Sequence, residues 1–98
     1  MSDSRLRIIL SDPARKDLRD IFAFTLSRWG DDQLKAYRTM AEAAFDAISA
    51  NASIGRSRHG YLRYTMGQHH IYYRVEPDVI HVIRVLHQRM EATRHLGG

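Results

Sequence analysis

The residues best suited to recognition chemistry are the arginines in the second half of the chain. Residues 55–98 contain seven arginines, no lysine and three carboxylates, Glu76, Asp78 and Glu91. Seven minus three gives the whole formal net charge of +4, because the eight basic and eight acidic residues of 1–54 cancel. A fixed guanidinium presents a planar fork of donors that matches carboxylates and phosphates. The pattern therefore predicts an anionic partner.

These arginines belong to strand-like segments, since they alternate with tyrosine, isoleucine, valine and leucine. Aromatic and β-branched residues predict three strands, over Tyr61–Met66, His69–Glu76 and Val79–His87. Gly67-Gln68 suits a two-residue turn between the first two strands, and Pro77-Asp78 suits the next turn. We therefore expect the arginines to be mounted on a rigid sheet.

The register of the first hairpin decides which side chains share a face. With a two-residue turn, Arg63 lies opposite Tyr72 and Tyr61 lies opposite Arg74, so these four side chains project from one face. The other face is apolar and should meet the helices. It consists of Leu62, Tyr64, Ile71, Tyr73 and Val75.

The face of Arg84 depends on the turn that precedes its strand. A two-residue turn at Pro77-Asp78 places the odd-numbered residues, including His81, on the face of Arg74. A three-residue loop places Arg84 there instead. We favour the three-residue loop, because it spares a guanidinium from burial among apolar groups. The alternative role for all these arginines is to pair with carboxylates on neighbouring loops.

The first half of the chain begins with a strand and a helix. Residues 5–10 alternate in hydrophobicity as a strand does. Ser11-Asp12-Pro13 then favours a helix start, with Asp12 accepting from free backbone N–H groups and Pro13 at the first helical position. One apolar stripe follows at helical spacing: Ala14, Leu18, Ile21, Phe22, Thr25 and Trp29.

Gly30 is expected to end this helix as a left-handed cap, and the two aspartates that follow it should open a second helix ending near Asn51. The second stripe is Leu34, Tyr37, Ala41, Ala44, Phe45 and Ile48. With only about two residues between them, the helices must fold back as an antiparallel hairpin. A loop over 51–60 precedes the strands, and residues 88–96 have the composition of a short helix.

The element order β-α-α-β-β-β predicts an α+β fold, with an antiparallel sheet packed against an N-terminal helical hairpin. We expect one domain, residues 1–98, with a core that needs no staple. Because the chain has no cysteine, a disulfide framework and a thiolate metal site are excluded. It shows no signal-like N-terminus and no apolar run of about 20 residues, so we expect a cytoplasmic protein with no membrane partner.

Short segments along almost the whole chain form a pattern that can be compared with known families. The most specific segment is the last, Ile83-Arg84-Val85-Leu86-His87-Gln88-Arg89-Met90. Weaker ones are Leu10-Ser11-Asp12-Pro13-Ala14 with Asp17, Leu18 and Ile21, then Trp29-Gly30 with Tyr37, Asn51, Gly55-Arg56, and Ile71-Tyr72-Tyr73-Arg74-Val75. In this order they resemble the ParE branch of the RelE/ParE superfamily, the toxin half of type II toxin–antitoxin pairs. Ala52 departs from the family, which often has proline after the asparagine.

The resemblance implies the fold derived above and one of two toxic activities. ParE-like members poison DNA gyrase by trapping it with cleaved DNA, whereas RelE-like relatives cut messenger RNA on the ribosome. In both, an antitoxin wraps the toxin and neutralises it. Here we expect a gyrase binder without catalytic residues or cofactors, neutralised by a ParD-like antitoxin. The expected target-binding residues are Arg63, Arg74, Arg84, His87, Gln88, Arg89 and Met90.

Antitoxin contacts should be largely apolar, because the two helices carry more aromatic residues than one small core needs. The expected antitoxin-binding residues are Phe22, Phe24, Trp29, Tyr37 and Phe45. Phe24 is the clearest of them, since it sits off the core stripe. With the resemblance, it suggests a groove for an amphipathic antitoxin helix.

Two other functions remain open from the sequence. A ribonuclease must activate a ribose 2′-OH, stabilise a phosphorane and protonate a leaving oxygen. Arg74, Glu76 and His87 form a minimal set, but Glu76 and His87 are expected far apart on the sheet. A plain nucleic-acid-binding module is the third reading, and its affinity would fall steeply with salt. We expect no metal site, because the adjacent His69 and His70 point to opposite faces of a strand.

Overall fold

The computed structural model describes residues 5–97 and contains two helices and a five-stranded sheet. The helices are α1 (Asp12–Trp29) and α2 (Asp31–Ala50). The strands are β1 (Arg7–Leu10), β2 (Arg56–Arg58), β3 (Tyr61–Met66), β4 (His69–Val75) and β5 (Val79–His87). The α+β class predicted from the sequence is confirmed. Within the described part of the chain, no helix is apolar over enough length to cross a membrane.

The start of α1 is fixed by a side-chain cap. Ser11 Oγ accepts a hydrogen bond from the backbone N–H of Ala14 at 3.0 Å, so Ser11 is the cap, not Asp12 as expected. Such a cap stabilises a helix by about 1 kcal/mol. Ser11 also donates to the carbonyl of Ile83 at 2.7 Å, which ties the helix start to β5.

Gly30 is the single residue between the two helices, which therefore reverse direction within one residue. Its φ of 90° confirms the predicted positive dihedral, although its ψ of −176° is extended rather than left-handed helical. A side chain would be strained in this conformation. Ala41, Ala44 and Ile48 of α2 are buried as predicted, and Leu18 of α1 is buried beside them.

The sheet is mixed rather than wholly antiparallel. Its order is β1-β5-β4-β3-β2, and β1 runs parallel to β5 with Ile8 opposite Ile80. The other three pairings are antiparallel, and Arg63 lies opposite Tyr72 as predicted. The parallel edge arises because the helical hairpin carries the chain back across one face before β2 begins.

Strand β2 occupies a segment that the sequence predicted as loop. It forms a hairpin with β3 through His59-Gly60, both of which have positive φ, 53° and 83°. Two residues of positive φ are the requirement of a type I′ hairpin turn. The new strand places Arg56 directly opposite Arg63 and Arg58 opposite Tyr61.

Strand β5 contains a bulge that changes which residues face the helices. Tyr73 lies opposite Val82, whereas the next residue back, Tyr72, lies opposite Arg84, so Ile83 is extra. The turn before β5 is the two-residue Pro77-Asp78, so the favoured three-residue loop is wrong. Arg84 still reaches the face expected for it, through the bulge.

Both faces of the sheet carry packed side chains, and the face away from the helices is covered only in part. The helical side holds the main core, in which Tyr73 and Ile71 are fully buried, and burying each such side chain contributes roughly 1.5–3 kcal/mol. On the outer face, defined as the side away from the helices, Tyr72 and Leu86 pack against Ala92 and Leu96. The C-terminal segment that covers this face is mostly irregular, with a single 3₁₀ turn at Ala92–Arg94 instead of the helix expected over 88–96.

Candidate functional site

An open groove of about 880 Å³ lies between the two helices and the turn that joins β3 to β4. Helix α1 contributes Phe24 and Trp29, whose side chains are 64% and 65% exposed. Helix α2 contributes Tyr37 and Met40. A cluster of large exposed apolar side chains along one concave surface is typical of a protein-binding site.

Three of the five residues predicted to bind the antitoxin line this groove: Phe24, Trp29 and Tyr37. Phe22 and Phe45 do not line it, because both are half-buried against the main core. Trp29 was predicted on the buried stripe of α1, but it lies one turn beyond Thr25, the last buried residue of that helix. Trp29 therefore lines the groove and does not pack in the core.

Two histidines form the polar end of the groove. His69 and His87 pair across β4 and β5, with ring centroids 5.2 Å apart. The hydroxyl of Tyr37 hydrogen-bonds Nδ1 of His69 and also lies 3.2 Å from the carbonyl oxygen of Met66. Burial raises the pKa of Tyr37 to about 12, so this hydroxyl stays neutral.

His69 is a groove residue that sequence reasoning did not include. The pKa of His69 is lowered to about 4, first by burial and then by the nearby His87 and His70. Its ring is therefore neutral near pH 7. The only sequence signal was its place directly after the Gly67-Gln68 turn, which packs on α2: a Cβ at Gly67 would lie 3.1 Å from Met40 Sδ. His70 points to the outer face, near Tyr72, as predicted.

Acid should destabilise the protein partly through His69. The ring has an ordinary pKa of about 6.5 when unfolded and about 4 when folded, so the unfolded state takes up the proton first. This stability is present above pH 6.5 and is lost as the pH falls from 6.5 to 4. Allowing for solvent in the groove, we expect about 1–2 kcal/mol from this group.

His69→Gln should therefore show a shallower loss of stability between pH 7 and pH 4.5 in urea unfolding. His59→Asn is the matched control, because His59 is exposed and asparagine tolerates its positive φ. The control should keep the wild-type slope. A His69→Gln variant with that same slope would contradict the assignment.

The outer face of the sheet carries four exposed or half-exposed arginines, which we call the arginine cluster: Arg56, Arg58, Arg63 and Arg74. The guanidinium of Arg74 lies 5.3 Å from the ring centroid of Tyr61. Arg56 and Arg58 were not among the predicted target-binding residues, because the strand that brings them to this face was predicted as a loop.

Arg84 is held by an ion pair. Its Nε and Nη2 donate to the Asp17 carboxylate at 2.7 and 2.8 Å, and Nη1 donates to the carbonyl of His95 at 3.1 Å. The same carboxylate accepts from the backbone N–H of Val85 at 2.9 Å. This hydrogen bond to Asp17 raises the pKa of Arg84. Arg84 therefore follows the alternative prediction, that an arginine pairs with a carboxylate, although Asp17 lies on a helix and not on a neighbouring loop.

The remaining predicted target-binding residues lie at the other end of the sheet from Arg74. Arg74 is opposite His81, whereas His87 is opposite His69, which lies five residues from Arg74 along β4. At about 3.3 Å per residue, this separation is about 17 Å. Residues 88–90 continue from His87 as a turn in which Met90 N–H donates to the His87 carbonyl. The structure thus divides the predicted set between two places.

The minimal ribonuclease set is divided in the same way. Glu76 lies at the turn before β5, where it contacts His81 at 3.5 Å, and His87 ends that strand beside the groove. The predicted separation of Glu76 and His87 is confirmed. A general base and a general acid must both reach the same phosphodiester, which this spacing prevents.

The fold has a counterpart among solved structures. A chain from "Chromosomal ParDE TA system from P. aeruginosa" superimposes with a TM-score of 0.71 over 86% of this chain and 97% of that one, at 14% sequence identity. At this level of identity, the likeness concerns the fold alone. It agrees with the α+β architecture described above.

Sequence comparison gives the family. Residues 8–92 match the family model "ParE toxin of type II toxin-antitoxin system, parDE". "Toxin ParE1" of Mycobacterium tuberculosis is 41% identical over 95 residues, covering 92% of this chain and 97% of that protein. "Toxin ParE1" of Caulobacter vibrioides is 39% identical over 92 residues, covering 90% and 95%. The chain belongs to the ParE toxin family of type II toxin–antitoxin systems.

Proposed function

We propose that this ParE-family toxin acts in the cytoplasm by inhibiting DNA gyrase, stabilising the complex of gyrase with cleaved DNA. The observation that carries the proposal is the match over residues 8–92 to the ParE family, whose gyrase-directed branch the sequence resembles. The toxin supplies binding surfaces and no bond chemistry. The separation of Glu76 from His87 supports a binder over a ribonuclease.

A ParD-like antitoxin is the proposed occupant of the groove. Phe24, Trp29 and Met40 offer apolar surface, and Tyr37 and His69 offer hydrogen-bonding groups at one end. This arrangement suits an amphipathic helix that buries its apolar face. The relatives in M. tuberculosis and C. vibrioides are named toxins, and the solved structure is described as a ParDE system, which supports a partner of this kind.

The proposal is tested by a supercoiling reaction with purified gyrase, relaxed plasmid, ATP and the antitoxin-free protein. We expect linear DNA to accumulate after detergent and protease treatment. Trapped gyrase stays attached to both cut DNA ends and cannot rejoin them, so destroying the enzyme releases a linear molecule. Added antitoxin should prevent it. Normal supercoiling without cleaved DNA, from folded protein, would overturn the gyrase assignment and direct attention to ribosome-dependent RNA cleavage.

The double substitution Arg74→Ala/Arg89→Ala should abolish gyrase poisoning and growth inhibition. Both side chains are exposed and neither supports the core, so the fold and antitoxin binding should be unchanged. Each lost charge-assisted contact weakens binding by about 1.5–3 kcal/mol, which together is at least about a hundredfold. Linear DNA formation across a toxin titration measures the change.

The matched control is Arg15→Ala/Arg38→Ala, which removes the same charge from exposed positions on the two helices. It should poison gyrase like the wild-type protein. Survival of full toxicity in the Arg74/Arg89 variant would remove these residues from the target-binding surface.

A further inference from the structure

The positive charges of the arginine cluster do not stabilise the fold. Arg56 and Arg63 stand directly opposite each other on β2 and β3. Like charges in this position destabilise a strand pair, because their charged groups are neighbours. Such an arrangement is stable enough to persist on an exposed strand, but it contributes nothing to folding.

Within residues 5–97, no carboxylate forms an ion pair with the cluster. The ion pairs of that part of the chain involve Lys16, His81, Arg84 and Arg94, and none involves a member of the cluster. The charge of the cluster acts on a neighbouring histidine: the pKa of His70 is lowered first by burial and then by the charge of Arg63. The cluster is therefore complementary to a polyanion.

The two tyrosines beside the cluster, Tyr61 and Tyr72, already have partners within the protein, and this favours a double-stranded polyanion over a single-stranded one. Tyr72 is 2% exposed beneath the C-terminal segment. Tyr61 donates from its hydroxyl to the Leu96 carbonyl at 3.1 Å, and its ring lies under Arg74. Proteins that bind single strands stack unpaired bases on free aromatic rings. Among the described residues, this face offers arginines for phosphates, and neither of its two tyrosines is free to stack on a base.

We infer that the arginine cluster binds the phosphate backbone of double-stranded DNA directly. Arg56, Arg58 and Arg63 form one patch at the free edge of the sheet, and Arg74 extends it along β4. The contacts are to backbone and carry no sequence information. The inference deepens the proposed function and rests on it for the choice of DNA over RNA. The toxin would touch the DNA that its target holds.

The test is fluorescence anisotropy with a labelled 20-base-pair DNA duplex, antitoxin-free protein and no gyrase, repeated over a range of salt concentrations. Arg56→Ala/Arg63→Ala should bind at least about tenfold more weakly at low salt. It should also lower the slope of log K against log salt by about two, since each lost phosphate contact accounts for about 0.9. Arg15→Ala/Arg38→Ala removes equal charge from the helices and should retain wild-type binding.

Three outcomes would overturn the inference. Equal losses in the cluster variant and the helix control would mean that binding follows net charge alone. Tighter binding to single-stranded DNA of the same sequence would mean base stacking. Equal or tighter binding to a 20-base-pair RNA duplex would assign the surface to RNA. Because gyrase is absent here, failure of this test is distinguishable from failure of the supercoiling test of function.

Discussion

Replacing Asp17 with alanine should lower the free energy of unfolding by about 3–5 kcal/mol, a large fraction of the stability of a domain of this size. Asp17 accepts from Nε and Nη2 of Arg84 and from the backbone N–H of Val85. The side chains of the pair are only 13% and 21% exposed. Truncation leaves a partly buried guanidinium and a backbone N–H without their acceptor.

Urea unfolding of Asp17→Ala measures this loss, and Asp20→Ala is the control from the same helix. Asp20 pairs with Lys16, but these side chains are 63% and 69% exposed, so its loss should cost less than 1 kcal/mol. The double variant Asp17→Leu/Arg84→Met should recover part of the stability, because it removes both charges together. Equal small effects at Asp17 and Asp20 would contradict the role assigned to this ion pair.

Truncating Trp29 or Phe24 to alanine should weaken the antitoxin complex by about 2–4 kcal/mol each, or roughly 30- to 1,000-fold in Kd. Both side chains are about two-thirds exposed in the free toxin and line the groove. A partner that fills the groove must bury them, and aromatic anchors of this kind carry most of the binding energy of an interface. Isothermal titration calorimetry with the purified antitoxin measures the change.

Leu26→Ala is the matched control for these groove substitutions. Leu26 lies on the same helix and is 44% exposed, but it does not line the groove. The control should bind the antitoxin as tightly as the wild-type toxin does. Because Trp29 is exposed, its truncation should leave the free energy of unfolding nearly unchanged. Unchanged affinity for both Trp29→Ala and Phe24→Ala would exclude the groove as the antitoxin site.

Much of this fold can be predicted from local patterns. The two helices, the three C-terminal strands and the pairing of Arg63 with Tyr72 follow from periodicity and from one turn, Gly67-Gln68. These features depend on residues close together in the chain. The apolar face of β3 and β4 was likewise correct for Ile71 and Tyr73, although Val75 at the strand end is 40% exposed.

The features that were missed depend on contacts between distant segments. Strand β2 has three exposed residues and no apolar face, so no alternation in hydrophobicity predicts it. The His59-Gly60 turn was the available signal. Next to the bulge in β5, the backbone N–H of Val85 donates to Asp17, a residue 68 positions earlier in the chain. The groove depends on how the helices pack on the sheet. The apolar stripe of α1 therefore could not predict that Trp29 lines the groove instead of the core.

The bulge at Ile83 gives β5 something like a reading frame. Before it, the even-numbered Ile80 and Val82 face the helices, and after it the odd-numbered Val85 and His87 do. If the strand lost the bulge but kept its length, the change would act as a frameshift in space, turning His87 away from the groove and Arg84 toward the core. Deleting the extra residue, Ile83, would instead leave both side chains on their present faces. We therefore expect the match between this bulge and the strand length to constrain the evolution of the family more strictly than the identity of any one residue in the strand.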